Sequence, residues 1–174
     1  MATTMRLISK QTLSSSSSTI TFSNIPGTGY TDLLLILSAR SDRSNAYEDP
    51  VRLRFNSDTG NNYTTVQLAQ YNSSAFSGSI TSSGIQATGA LTGPLATSST
   101  FGSGAIYIPN YAGSTNKSLS CDCTTEHNGT QVLIGVSAGL WSNTAAITTI
   151  EVAPWNGSNL VSGSSFFLYG ITKA

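Results

Sequence analysis

Charged side chains are scarce in this sequence. Asp, Glu, Lys and Arg make up 9% of the 174 residues, against about 25% in ordinary soluble proteins. Eight basic and eight acidic residues cancel to a formal net charge of +0. A chain without net charge has no long-range field to attract nucleic acid or an anionic membrane. We therefore expect neither nucleic acid nor membrane among its partners.

Long apolar runs are also missing. No stretch approaches the roughly 18 apolar residues that a membrane-spanning helix requires, and the first ten residues, "MATTMRLISK", lack the apolar core of a signal peptide. We expect a protein that is made in the cytoplasm and is not secreted. Its polar residues are mainly Ser, Thr, Asn and Gly, and a neutral surface of this kind favours a protein held in a large assembly.

Cysteine and histidine are rare, and all of them fall in one stretch, "SLSCDCTTEHNG", residues 118–129. In an extended backbone, alternate residues share a face. Cys121 and Cys123 then point inward with Leu119 and Thr125, while Ser120, Asp122, Thr124 and Glu126 point outward. Same-face neighbours on one strand lie about 6.5–7 Å apart, at or beyond the limit for a disulfide. The pattern predicts two buried packing residues.

The same stretch makes a poor metal or catalytic site. A structural zinc site needs four ligands, and two cysteines with one histidine supply three. His127 precedes Asn128-Gly129, a dipeptide typical of tight hairpin turns, which predicts an exposed histidine. An exposed base is badly placed to activate a nucleophile. We therefore expect no metal, no cofactor and no catalytic residue, so that the protein is not an enzyme.

Two other polar segments have a second interpretation, as a catalytic or a metal-binding site. In "RSDRSNAYEDP" the carboxylates of Asp42, Glu48 and Asp49 suggest the acid pair of a glycoside hydrolase, although a polar loop balanced by Arg40 and Arg43 explains them better. "NSDTGNNY", residues 56–63, partly matches a calcium-binding loop but lacks the closing acid. A hairpin turn built on Asp58, with Gly60 and Asn61, is the preferred interpretation.

Short apolar segments separated by Gly, Pro, Asn and Ser predict an all-β protein. "VRLRFN" alternates with Val51, Leu53 and Phe55 inward, and "TDLLLILSAR" is apolar on both faces, as in a central strand. Further strands are predicted at about 5–12, 19–22, 63–70, 105–109, 117–125, 131–141, 146–153 and 165–172. A change of phase in "AITTIEVAPW" predicts a β-bulge near Thr148 or Thr149.

The predicted fold is an antiparallel two-sheet β-sandwich, jelly-roll-like, in a single domain over residues 1–174. Residues 1–18 are expected to form an N-terminal arm. The tract 72–104, rich in Ser, Gly and Thr, is expected to be a long loop-rich region. Proline lies at strand ends in this scheme, with Pro50 just before "VRLRF".

Several stretches together resemble a known group of proteins. "FSNIPGTGYTDLLLILSAR", "LRFNSDTGNNY", "AIYIPNYAGSTNKS", "SAGLWSNTAAITTIEVAP" and "SSFFLYGI" follow one another along the chain. In this order they resemble small β-rich virion proteins encoded by tailed bacteriophages. Only the N-terminal arm and the 72–104 tract match poorly. The matching stretches are strands and turns without chemical ligands, so the resemblance implies a structural component of a phage particle and assigns no catalytic residue.

The leading hypothesis is a capsid decoration, or cement, protein of the virion. Such a protein binds the assembled lattice of the major capsid protein and copies of itself, and we expect a trimer. The alternative is a tail-fibre, baseplate or head-fibre module that binds other tail proteins or a glycan of the host surface. A carbohydrate-active hydrolase is the remote alternative. The sequence does not indicate which residues contact the partner.

Overall fold

The computed structural model describes residues 4–128 and 132–172. Regular secondary structure in this part of the chain consists of strands, which confirms the all-β prediction. The strands are β1 (Met5–Thr12), β2 (Ile20–Phe22), β3 (Asp32–Arg40), β4 (Glu48–Phe55), β5 (Tyr63–Tyr71), β6 (Ser74–Ser82), β7 (Ile85–Thr92), β8 (Gly102–Ile108), β9 (Lys117–Thr125), β10 (Leu133–Trp141), β11 (Ile150–Pro154) and β12 (Ser165–Ile171).

All twelve strands belong to one connected, open and mixed sheet. Eight of them follow one another in the order β1-β12-β3-β8-β9-β10-β5-β6, here called the eight-strand segment. The other four, in the order β2-β11-β4-β7, form the four-strand segment. The two segments join where β7 pairs with β3 in parallel over two residues, Ala39 with Leu91 and Arg40 with Thr92. A jelly-roll-like arrangement fits this order.

The core is built from the alternating residues of strands in both segments. Leu33, Leu35 and Leu37 of β3 are buried together with the inward residues of β4, which are Val51, Leu53 and Phe55 as the sequence predicted. Strand β7 lies over the inner side of β5 and β10. The Gln86 amide donates to Thr65 Oγ1 at 3.1 Å, and the Thr88 amide donates to Ser137 Oγ at 3.4 Å.

The expected loop-rich tract at 72–104 is wrong, because β6 and β7 occupy most of it. Its small residues are a property of the strands themselves. Strand β7, "IQATGALT", is buried along nearly its whole length, and small side chains allow that close packing. Residues 5–12 of the predicted N-terminal arm form β1, which pairs with β12 of the same chain.

Two further expectations about strand irregularities are wrong. Thr148 and Thr149 form no β-bulge, since β11 begins only at Ile150. Their backbone amides instead donate to Asn56 Oδ1 at 2.8 and 3.1 Å, which lets the chain change phase in a loop. Pro50 lies inside β4 rather than before it, at a register shift between Asp49 and Val51. A bulge tolerates proline because the ladder already lacks a hydrogen bond there.

A turn is present in "NSDTGNNY", but the predicted hairpin is wrong, because β4 pairs with β11 and β7 whereas β5 pairs with β10 and β6. Asp58 Oδ1 accepts the Gly60 amide at 2.9 Å, and Oδ2 accepts Asn62 Nδ2 and Trp141 Nε1, each at 2.8 Å. The carboxylate therefore joins the β4–β5 connection to the end of β10. Hydrogen bonds from Asn62, Gly60 and Trp141 lower the pKa of Asp58 to about 2.

Candidate functional site

The cysteine-bearing strand has the two faces that its sequence predicts. Leu119, Cys121 and Cys123 of β9 are buried, and both thiols are free cysteines. Burial raises the pKa of Cys123 to about 12 and raises that of Cys121 well above its ordinary value. Both side chains are thus protonated near neutral pH. A thiol in this form packs like a small apolar residue and is a weak nucleophile.

The prediction that His127 is an exposed turn residue is wrong. Its side chain is 1% exposed and stacks on the Tyr47 ring with a centroid distance of 5.4 Å. The alternation of β9 continues beyond the last strand residue, so that His127 points inward after Cys123 and Thr125. Neither imidazole nitrogen has a hydrogen-bond partner among the described residues. Gly129, the second residue of the predicted turn, lies outside them.

The acidic residues of "RSDRSNAYEDP" divide into structural and cleft-facing groups. Asp42 accepts the amides of Ser158 and Asn159, each at 2.7 Å. Asp49 accepts the amides of Asn156 and Gly157 at 3.1 and 2.8 Å. Both carboxylates therefore hold the loop 156–159, and their acceptor oxygens are taken up by backbone amides and by the side-chain amides of Asn156 and Asn159. Glu48 is the member of the trio that lines an open cleft.

Glu48 and Arg43 meet at the rim of this cleft. Arg43 Nη1 lies 3.5 Å from Glu48 Oε1 and 3.9 Å from Asp49 Oδ1. Burial is the main cause that raises the pKa of Glu48, opposed by Arg43 and reinforced by Asp49. Glu48 Oε2 is buried without a hydrogen-bond partner in the described part of the chain. Among residues 4–128 and 132–172, no group of three or more His, Cys, Asp and Glu side chains is arranged to hold a metal ion.

The outer face of the eight-strand segment is the side turned away from β7. Bulky apolar side chains stand exposed on it: Val66 is 59% exposed, Leu68 58%, Ile134 61% and Val136 49%. They are neighbours in the sheet, since Val136 pairs with Leu68 and Ala138 pairs with Val66. Leu34, Ala105 and Tyr107 continue the surface. These three line a shallow groove of about 670 Å³ together with Val66, Leu68 and Val136.

The groove is almost uncharged. Asp122 is the one charged side chain among the described residues that line it, and it stands between Ala105 and Val136 in the strand register. At one margin the Tyr107 hydroxyl donates to Asp32 Oδ2 at 2.8 Å. Monomers rarely expose a contiguous apolar patch of this kind unless it binds something. The outer face is therefore the candidate functional site.

Strand β10 explains why its bulky residues point outward. Its inward positions hold Gly135, Ser137 and Gly139, where β7 approaches closely. A Cβ atom at Gly135 would lie 2.9 Å from the Thr88 carbonyl oxygen, and one at Gly139 would lie 2.8 Å from Ile85 Cδ1. This face was not predicted from the sequence. The available signal was the alternation of small and bulky residues in "LIGVSAGLW".

The outer face ends at β6, an edge strand. Within the described chain β6 pairs with β5 alone, over nine consecutive residues without a register shift. Its sequence, "SAFSGSITS", contains neither charge nor proline, and most of its residues are exposed. Edge strands of soluble proteins usually carry such protective residues, because an open edge invites pairing with another chain.

Comparison with known proteins gives little further guidance. No protein-family model matches this sequence, and the search of curated proteins found no match. Among solved structures, the alginate lyase vAL-1 from Chlorella virus matches with a TM-score of 0.37 and 8% sequence identity, over 95% of this chain and 83% of the lyase chain. A likeness of this degree supports no inference about fold or activity. Within the described ranges, no helix has the length and apolarity needed to cross a membrane.

Proposed function

We propose that this chain is a structural protein of a bacteriophage particle, and that it is a capsid decoration protein. It binds copies of itself, as a trimer, and the major capsid protein. The observation that carries the proposal is the uncovered apolar outer face, which no other part of the described chain packs against. A protein that works by binding needs such a surface and needs no catalytic group.

The proposal includes a two-sheet jelly-roll sandwich. The four-strand segment is one sheet and packs on the inner face of the eight-strand segment, the other sheet. The hydrogen bonds from β7 to Thr65 and Ser137, and the shared core of β3 and β4, support this arrangement. One large sheet is then covered on one side only, which leaves its second side for partners.

The dimensions of the outer face suit a protein interface. Eight strands spaced about 4.8 Å apart span roughly 34 Å, and a nine-residue strand is about 30 Å long, which gives about 1,000 Å² of sheet. A stable interface buries about 800 Å² on each partner. The uncharged edge of β6 adds unpaired backbone groups at one margin. Binding to the assembled shell and not to free subunits would stabilise the shell by mass action.

A charged residue in the outer face tests the self-association. Leu68→Lys places an ammonium group where Leu68 is 58% exposed, so the fold should survive. We expect sedimentation equilibrium to show a trimer for the natural chain and at least a tenfold weaker association for L68K. Ser98→Lys, which adds the same charge at an exposed loop position, is the matched control. A natural chain that stays monomeric at high micromolar concentration, or an L68K variant that associates normally, would refute this interface.

The position in the particle needs a separate measurement. Quantitative mass spectrometry of purified virions counts the copies of this chain against those of the major capsid protein. A decoration protein requires a number commensurate with the capsid lattice. A handful of copies per particle would overturn decoration in favour of the tail or fibre alternative.

A further inference from the structure

The sheet has three open edges in the described chain, and two of them are protected. Strand β1 carries Arg6 and Lys10 and has a register shift between Leu7 and Ser9. Strand β2 is only three residues long. Charge, irregularity and shortness are the features by which soluble proteins keep an open edge from pairing with another chain. Strand β6 has none of these features, so it is the unprotected edge.

The free backbone groups of β6 form a regular row. In an antiparallel ladder, alternate residues of a strand direct their amide and carbonyl groups to opposite sides. Strand β6 pairs with β5 at nine consecutive positions without a register shift, so every second residue directs both groups away from β5. Most of the strand is exposed. A further strand can therefore be added here by backbone hydrogen bonds.

The sequence of β6 is nearly symmetric about Gly78. Reading outward from this residue, the matched positions on its two sides are Ser77 and Ser79, Phe76 and Ile80, Ala75 and Thr81, and Ser74 and Ser82. Two antiparallel copies of β6, related by a two-fold axis at Gly78, place each residue opposite its match. A two-fold interface between identical chains needs self-complementarity of this kind.

The two bulky residues of β6 suit this register. Phe76 is 38% exposed and Ile80 is half-buried, and residues four apart on a strand point to the same side of the sheet. In the two-fold arrangement Phe76 of each copy lies opposite Ile80 of the other copy. A cross-strand pair of an aromatic and a β-branched residue is favourable. Both pairs would cover apolar surface that a single chain leaves open to solvent.

Contacts within the described chain do not require glycine at position 78. A Cβ atom there would meet only Gln67 Nε2, at 3.7 Å, which is an ordinary contact, and the residue does not have a positive φ. The inward glycines of β10 differ, because β7 crowds them. Glycine inside a strand often marks the close approach of another backbone. At the two-fold axis that backbone belongs to the second copy.

We propose that β6 pairs antiparallel with β6 of a second copy of this chain, about a two-fold axis at Gly78. The pairing joins two eight-strand segments into one sheet, and it does not rest on the outer-face interface. A single pair of strands is only marginally stable in water. The contact is therefore weak between free copies and becomes effective where copies are held side by side. In dilute solution the expected species is still the trimer.

Disulfide trapping tests the register. Two full-length variants, Ser74→Cys and Ser82→Cys, are oxidised by dissolved oxygen, separately and as an equimolar mixture, and non-reducing gel electrophoresis follows the covalent dimer. In the proposed pair Ser74 lies opposite Ser82 of the second copy, whereas the two copies of Ser74 are about 26 Å apart. We expect the mixture to form the dimer at least tenfold faster than either variant alone. The natural cysteines, Cys121 and Cys123, are buried and should add little background.

Gly78→Lys, introduced into both cysteine variants, tests the two-fold axis. The single chain has room for a side chain at this position, so the fold should survive, but two ammonium groups would face each other in the pair. We expect the rate in the mixture to fall to that of the separate variants. Ser98→Lys, which adds the same charge at an exposed loop position, is the matched control and should leave the rate unchanged.

Either of two results would overturn the proposal. One is a mixture that cross-links no faster than the separate variants, a comparison that does not depend on G78K. The other is a G78K mixture that cross-links as fast as the mixture without it. Sedimentation of L68K tests the outer face separately, so either interface can fail without the other.

Discussion

Asp58 connects the β4–β5 turn to the buried end of β10, so its removal should weaken the whole fold. In Asp58→Ala, Trp141 loses its acceptor. The Trp141 side chain is fully buried, between Phe55 and Tyr63 at centroid distances of 5.5 and 6.1 Å. Asp58 is partly exposed, so water can enter where the carboxylate was and replaces part of the lost hydrogen bond. An unpaired buried donor costs about 1–3 kcal/mol. The exposed Gly60 amide binds water once the carboxylate is removed, so the loss of its hydrogen bond adds little to the destabilisation.

We expect D58A to lower the free energy of unfolding by about 1–2 kcal/mol at pH 7, a loss dominated by the indole N–H, which keeps only a partial water partner. Asp58→Asn keeps an acceptor oxygen without the charge and should lose about 1 kcal/mol. Urea unfolding followed by far-UV circular dichroism measures both changes. Thr59→Ala, in the same turn, is the control and should stay within about 0.5 kcal/mol of the natural chain.

The pH dependence of the same variant has a defined sign. The folded-state pKa of Asp58, about 2, lies below its ordinary value of 3.8. Its ionised form therefore stabilises the fold above the ordinary pKa, and this contribution is lost as the pH falls through about 2. The difference between the natural chain and D58A should shrink over that range. A D58A variant as stable as the natural chain at pH 7, or a difference that does not change on acidification, would refute the reasoning.

Two further predictions concern buried polar groups. His127→Phe keeps the stacking on Tyr47 and removes two unpaired nitrogens. Calorimetry should therefore show a Tm equal to or higher than that of the natural chain, and a much lower Tm for His127→Ala. A lower Tm for His127→Phe than for His127→Ala would contradict this account. Burial raises the folded-state pKa of Glu48, so the stability of the natural chain should fall as the pH rises from the ordinary pKa through the raised value. In Glu48→Gln that fall in stability should disappear, and the variant should be more stable than the natural chain at pH 7. Equal urea midpoints at pH 4 and pH 7 for the natural chain would rule out a destabilising ionisation of Glu48.

Local patterns were sufficient to predict most strands. The limits predicted for β1 and β9 coincide with those observed, and β3, β5 and β10 begin within about two residues of the expected positions. In these segments apolar residues either alternate with polar ones or form a continuous run. Both patterns can be recognised from the residues of the strand alone. The inward thiols of Cys121 and Cys123 and the turn at Asp58 were predicted from the same local information.

The failures have a common physical cause. β6 and β7 consist of small and polar residues, whose place in a sheet depends on the neighbours that cover them. His127 is buried because Tyr47, eighty positions earlier in the chain, provides a ring for it to stack on. Glu48 lines a cleft while Asp49 holds a loop, although they are adjacent in sequence.

The outer face shows the same difference between what local sequence predicts and what contacts between distant residues decide. Residues Val66, Leu68, Ile134 and Val136 read as ordinary strand residues, and the alternation of each segment leaves open which side faces the core. That choice was made by β7, which approaches β10 so closely that only small side chains fit between them. Local sequence patterns were enough to predict an all-β chain with buried cysteines, and its formal net charge is +0. The tertiary structure alone decided which side of each strand is covered, because coverage depends on contacts between strands that are far apart in the chain.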